Sequence, residues 1–157
     1  MGRIYSDWLE IAQSCARVNA ALTSFATWKD WRVGFRETDL SGEEEFGTGL
    51  RWTETRDLNG RLEMHELVVT DYIPNESISI IIDGDRYRNR AGAAFLEYRL
   101  VDYGRDTTLH LDTKLDPLPF GVRLFAKGNP AAFLQACRED LESLKSYLEE
   151  SSLEMAG

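Results

Sequence analysis

Between Arg32 and Leu115 the hydrophobic pattern has a period of two, and this stretch occupies more than half of the chain. Segments near residues 33–41, 49–57, 61–73, 77–83, 93–103 and 107–116 alternate apolar and polar residues. Such alternation marks strands with one buried and one wet face. Asn59-Gly60 is the strongest of the breaks between them, because both residues tolerate the positive φ of a tight hairpin. Gly84 and Gly104 mark two more turns, and Ser41-Gly42-Glu43-Glu44-Glu45 makes a charged connection. Six consecutive strands with short turns predict an antiparallel meander.

The flanks of the meander have different periods. Residues 4–12 read as a strand, with Tyr5, Asp7, Leu9 and Ile11 on one face. Ser14 offers an N-cap oxygen to a helix through Ala16, Val18, Ala20, Ala21 and Leu22. Phe25 to Trp31 suggests a second short helix that buries Phe25, Trp28 and Trp31. Pro117 and Pro119 end the strands, and Phe120 to Lys127 suggests one extra helical turn. Asn129-Pro130 then opens the last helix, with Asn as N-cap and Pro at the first helical position. Over 131–151, Phe133, Cys137, Leu141, Leu144 and Leu148 step by helical spacing and form one stripe. The expected fold class is α+β, in the order β-α-α-β6-α, with about seven strands and a long C-terminal helix.

The strand pattern also says which side chains face inward. Leu50, Trp52 and Glu54 share one side of their strand. Ile78, Ile80 and Ile82 do so in theirs, as do Ala94, Leu96, Tyr98 and Leu100. Leu109, Leu111, Thr113 and Leu115 follow in the last strand, so Thr113 falls on the apolar side.

Length and charge bound the rest. A chain of 157 residues without linker or repeat is one domain, 1–157. It carries 18 Lys and Arg against 27 Asp and Glu, a formal net charge of −9. That surplus repels phosphate backbones, so no nucleic-acid partner is expected. No apolar run approaches the ~20 residues of a membrane span. The N-terminus lacks the apolar stretch of a secretory signal, which makes the expected location cytoplasmic. Gly2 with Ser6 matches the loose myristoylation pattern as chance spelling, and Asn75-Glu76-Ser77 is a sequon by spelling only. Cys15 and Cys137 read as buried free thiols. His110 and Asp112 share a strand face that reads as exposed, so no metal site is expected. There is no Gly-x-Ser-x-Gly, and Gly47-Thr48-Gly49 lacks the third glycine and following helix of a dinucleotide site. No cofactor is expected.

Several local stretches resemble the START-like superfamily, also called helix-grip or SRPBCC, and within it the polyketide cyclase/dehydrase-like branch. Leu9-Glu10-Ile11 with Val18-Asn19-Ala20-Ala21-Leu22-Thr23 resembles its first strand and helix. Phe25-Ala26-Thr27-Trp28-Lys29-Asp30-Trp31 resembles its short aromatic helix. Phe46 to Trp52, Val69-Thr70-Asp71-Tyr72-Ile73-Pro74 and Leu141 to Glu149 resemble three further elements. Gln13-Ser14-Cys15 replaces the family's usual proline or paired small residues. These are packing and turn motifs, so they bear on fold more than on function. The resemblance implies a curved antiparallel sheet wrapped around the terminal helix, with a cavity between them. A bent sheet cannot lie flush on a straight helix, and an apolar gap with a few polar groups suits a hydrophobic ligand.

The lining expected for that ligand is Trp52, Ile80, Leu96, Leu109, Leu111, Thr113 and Phe133. Glu54 and Tyr98 are the candidate catalytic pair, and Asp7 shares the inward side. A carboxylate against apolar walls tends toward a raised pKa, and a tyrosine hydroxyl can orient a carbonyl. The competing expectation puts Glu54 near a strand end in contact with water and Tyr98 in the core with its hydroxyl satisfied. Glu63 and His65 share one face whose direction depends on register. Arg86, Arg88 and Arg90 crowd one hairpin at the expected cavity mouth, either as a solvated turn or to steer an anionic ligand or acidic carrier. Three functions follow as expectations: a carrier or sensor of a hydrophobic or aromatic small molecule, an enzyme of the cyclase, aromatase or dehydratase type, and a protein-interaction module. The last predicts a large exposed apolar patch and a closed cavity, with Trp8 and Trp31 as the residues to watch. Oligomeric state is left open.

Overall fold

The computed structural model describes residues 3–83, 94–115 and 130–156. Its order is β1 (Arg3–Ile11), α1 (Cys15–Thr23), α2 (Phe25–Trp31), β2 (Phe35–Thr38), β3 (Arg51–Leu58), β4 (Arg61–Ile73), β5 (Ser77–Ile82), β6 (Ala94–Asp102), β7 (Thr107–Leu115) and α3 (Pro130–Ala156). The seven strands form one antiparallel sheet in the order β1-β7-β6-β5-β4-β3-β2. The sheet is curved and not closed, with β1 and β2 as its edges. This is the expected helix-grip architecture. α3 runs beyond residue 151, where the amphipathic stripe stops, to Ala156. The proposed Asn129 cap, the turn at Phe120 to Lys127, Pro117, Pro119, Gly84 and the arginines Arg86, Arg88 and Arg90 lie outside the described residues.

Local chemistry sets these elements. Ser14 Oγ accepts from Arg17 N at the start of α1. Asn59 (φ 57°) and Gly60 (φ 79°) make the β3–β4 turn, both at positive φ as a two-residue hairpin requires. Register is continuous through β5, β6 and β7, with bulges only between Phe35 and Glu37 and between Val69 and Asp71. The inward parities of the meander therefore hold.

The core lies between the concave face of the sheet, α3 and the two short helices. Leu109, Leu111, Ile78 and Trp52 meet Phe133, Leu141, Leu144 and Leu148 of α3 there. α3 is also fastened to β1 by polar contacts. Arg138 pairs with Asp7 at 2.6 Å, Lys145 Nζ donates to Glu10 O at 2.6 Å, and Ala12 N donates to Glu149 at 2.8 Å. Asp7 does face inward, but it is an anchor for α3.

Gly34 fixes the passage from α2 to β2. It sits at φ +70°, its O accepts from Asp57 N at 2.7 Å, and a Cβ would stand 2.1 Å from Asp57 O. Gly34→Ala is therefore expected to lower unfolding stability by more than about 2 kcal/mol, through αL strain and a backbone clash together. Urea unfolding at unchanged m-value checks this, and a loss below about 0.5 kcal/mol contradicts it.

On the outer face Trp8 is 58% exposed and Ile4 63%, while Leu62 and Met64 are exposed on β4. β7, β6 and β5 separate the two pairs, so they are two small patches and not one surface. Trp31, watched as a second marker of a partner surface, is buried, as the reading of α2 expects. Its place on the inner side of α2 puts it in the core cluster.

Candidate functional site

Even-numbered residues of β3 point at α3 and the helices, which places Trp52, Glu54, Arg56 and Leu58 in a row on the concave face. β4 adds Glu63, His65, Leu67 and Val69, with His65 opposite Glu54 in the register. With Arg32, Asp83 and Asp140 from outside these two strands, two arginines, one histidine and four carboxylates are gathered in the interior.

Arg32, just past α2, meets Glu54 in a two-pronged pair, Nη1 to Oε1 at 2.7 Å and Nη2 to Oε2 at 2.6 Å. Its guanidinium also lies 5.0 Å from the Trp28 ring centre and 5.2 Å from that of Phe35. Trp52 Nε1 donates to Glu54 Oε1 at 2.9 Å. Burial alone pushes the Glu54 carboxyl up, but Arg32, with help from Trp52, outweighs it and holds the group below the usual glutamate range. The raised pKa expected of Glu54 is therefore not found. Nor does Glu54 reach water, being 3% exposed. Arg32 itself is lowered by burial and raised more by Glu54, so it stays charged.

Arg56 and Asp140 form the second pair, at 2.8 Å, with both side chains buried. Between them they satisfy the backbone of Val33. Arg56 Nε donates to Val33 O at 3.1 Å, and Val33 N donates to Asp140 Oδ1 at 2.8 Å. The pair joins β3, α3 and the α2–β2 connection at one point. For Asp140, burial outweighs the arginines and pushes its carboxyl up. The raised carboxyl sought at Glu54 is thus found on α3.

The third group is His65. Its Nδ1 lies 2.6 Å from Asp83 Oδ2, and Asp83 Oδ1 accepts from Glu66 N at 2.9 Å. The contact suits an Nδ1–H that donates to the Asp83 carboxylate. Nε2 faces Glu63 Oε2 at 3.4 Å. Asp83 adopts φ 58° at the end of β5, which turns its carboxylate under β4. The unresolved direction of the Glu63/His65 face is settled as inward.

A space of about 30 Å³ lies beside the Arg32–Glu54 pair, lined by Trp31, Trp52, Tyr98, Leu96, Ile80 and neighbours. That is room for about one water-sized group. Tyr98 is half-buried on this space, and its hydroxyl makes no hydrogen bond among the described residues. Burial pushes the phenol well above its ordinary value, followed by the nearby Cys137 and Asp140, so it remains a donor. The expectation of a satisfied Tyr98 hydroxyl is not met. Of the other expected lining residues, Trp52, Ile80 and Leu96 border the space. Leu109, Leu111, Thr113 and Phe133 are buried deeper in the core. Thr113 hydrogen-bonds Cys137, whose thiol burial pushes up to about 12.

Sequence reasoning missed Arg32, Arg56, Asp83 and Asp140. Arg56 was readable, because it shares the parity of Trp52 and Glu54. Asp140 was too, standing three residues after Cys137 and four before Leu144 on the apolar stripe of α3. Arg32 and Asp83 sit at element ends, where parity gives no direction.

No family model and no curated protein matches the sequence. Solved structures do match its shape. The aromatase/cyclase Zhui from Streptomyces sp. R1128 superposes with TM-score 0.74 at 16% identity, covering 95% of this chain and 94% of that one. A START superfamily protein from Mycobacterium smegmatis gives 0.70 at 13%, covering 94% and 97%. Ara h 8.0201 gives 0.70 at 9%, covering 96% and 99%. The chain has the START-like fold shared by polyketide aromatase/cyclases.

Proposed function

We propose that this START-like chain binds a hydrophobic or aromatic small molecule against the concave face of its sheet, as a carrier or sensor. The observation that carries this reading is the state of the interior polar groups. Glu54 is held ionised by Arg32, and Asp140 is tied to Arg56 and Val33. Groups committed to each other shape and neutralise a wall more readily than they move protons. What is left to meet a ligand is aromatic and aliphatic surface with one available hydroxyl, a common make-up for small-molecule sites. Among the described residues no helix is long and apolar enough to cross a membrane.

One arrangement favours a second reading, an enzyme of the cyclase, aromatase or dehydratase type. Asp83 orients His65 through Nδ1, and Nε2 faces the Glu63 carboxylate at 3.4 Å, a setting in which an imidazole can exchange protons. In that reading His65 moves protons and Tyr98 donates to the developing oxyanion, while Glu54 keeps Arg32 in place.

A thermal-shift panel of lipids, polyketides and aromatics, followed by extraction, separates the two readings. Binding at a hundredfold excess over Kd adds about 2.7 kcal/mol of apparent stability. The carrier reading expects such a shift with the ligand recovered unchanged. A chemically altered ligand, formed with a pH-dependent rate that His65→Ala abolishes, favours the enzyme. No shift across the panel contradicts both.

A further inference from the structure

The tip of the β3–β4 hairpin carries a reactive pair that the ligand-binding reading does not use. Asn59 (φ 57°) and Gly60 (φ 79°) are both exposed, and a Cβ at Gly60 would meet nothing within 4 Å. A glycine has no side chain to shield its own amide nitrogen. An asparagine before it holds a carboxamide carbon where that nitrogen can close a five-membered ring. Leu58 and Arg61 are the last pair of the ladder, so the Gly60 N–H has no strand partner. It donates instead to Asp57 Oδ1 at 2.7 Å. Arg36 Nη2 of β2 holds Asp57 Oδ2 at 3.2 Å and fixes the carboxylate in that position. On the β4 side the residue opposite Asp57 is Leu62, which brings no charge.

We propose that Asn59 is a self-modifying site, deamidated in the folded protein with Asp57 as the general base. The Asp57 carboxylate takes the Gly60 amide proton as that nitrogen attacks Asn59 Cγ. The new C–N bond closes a five-membered imide. The proton passes to the carboxamide nitrogen, its C–N bond breaks, and ammonia leaves. Water then opens the imide at either carbonyl, to aspartate or to β-linked isoaspartate. Nothing is oxidised or reduced. The β-linked product adds an atom to the main chain of a turn that fits two residues at positive φ. Both products set a second carboxylate beside Asp57. The same hairpin sets Glu54 opposite His65, so the modification falls on the strand pair that builds the polar interior.

Timed incubation of the full chain between pH 6 and pH 8 tests this, in buffers matched for concentration. Isoelectric focusing counts the added negative charge, and peptide mass mapping places it at Asn59. The same chain unfolded in urea serves as the control. There hydroxide must remove the amide proton, so the rate should rise about tenfold per pH unit. In the folded chain a carboxylate supplies the base, and the rate should stay nearly flat over this range. Asp57→Asn keeps an acceptor for Gly60 N–H but removes the base. It is expected to slow the folded reaction at pH 6 about tenfold or more and to restore the dependence on pH. Should Asp57→Asn fail to fold, the pH profile of the wild type decides alone. A folded wild type whose rate climbs with pH as steeply as the unfolded chain overturns the proposal. So does an Asp57→Asn variant that deamidates at the wild-type rate, or a folded chain that stays intact while the unfolded one reacts.

Discussion

Glu54→Gln is expected to lower unfolding stability by about 3 kcal/mol at pH 7, near the lower end of what breaking a buried pair costs. The substitution keeps the shape of the side chain and leaves the guanidinium of Arg32 buried against Trp28 and Phe35 without its paired carboxylate. For a domain of this length the loss corresponds to a fall in Tm of roughly 6–12 °C. The pH dependence has a defined sign. The folded pKa of Glu54 lies below its ordinary value of 4.5, so its contribution is fully present above that pH and is lost as pH falls through the folded value. The gap between wild type and variant should therefore be constant from pH 6 to 8 and close below about pH 4.5. Chemical denaturation across that range measures it. A gap under about 1 kcal/mol at pH 7 would mean that water reaches the pair and screens it.

The second large effect belongs to Arg56 and Asp140. Arg56→Met is expected to cost about 3–5 kcal/mol at pH 8, because it strands a buried carboxylate and leaves Val33 O without its donor. The cost should shrink as pH falls. Asp140 already has a raised pKa, and losing Arg56 raises it further, so acid neutralises the stranded group. Asp140→Asn keeps an acceptor for Val33 N and should cost less. In the double variant the losses should fall short of additive by about 2 kcal/mol, the signature of direct coupling. Full additivity contradicts the contact. Because the pair ties three elements together, its loss should also lower the m-value if α3 loosens in the native state.

These residues show where a sequence carries positional information. The meander was legible because one buried face imposes strict alternation, and a slip of one residue would have turned Trp52 and Leu109 outward. α3 was legible from the stripe Phe133 to Leu148, and Asn59-Gly60 from its turn chemistry. Parity put Glu54, Tyr98 and Thr113 on the correct side. It could not say what each would touch. Glu54 looked like an acid facing apolar walls because its partner, Arg32, lies 22 positions away beyond the end of a short helix. Asp140 was passed over, although its spacing placed it beside Cys137 and Leu144. The direction of a carboxyl's pKa depends on which cation is delivered to it from elsewhere in the chain, and that is a tertiary fact. Tyr98 and Trp31 show the reverse case. Among the described residues neither polar atom has a hydrogen-bond partner.

The central claim is that the concave face takes a hydrophobic small molecule. Native mass spectrometry of gently purified protein, with denaturing extraction of whatever accompanies it, tests this most directly. The predicted result is a mass above that of the bare chain and an extracted apolar molecule that rebinds the emptied protein. A bare mass, together with no rebinding and no thermal shift from any lipid, polyketide or aromatic compound, would contradict the claim and shift weight to the exposed patches around Trp8 and Met64.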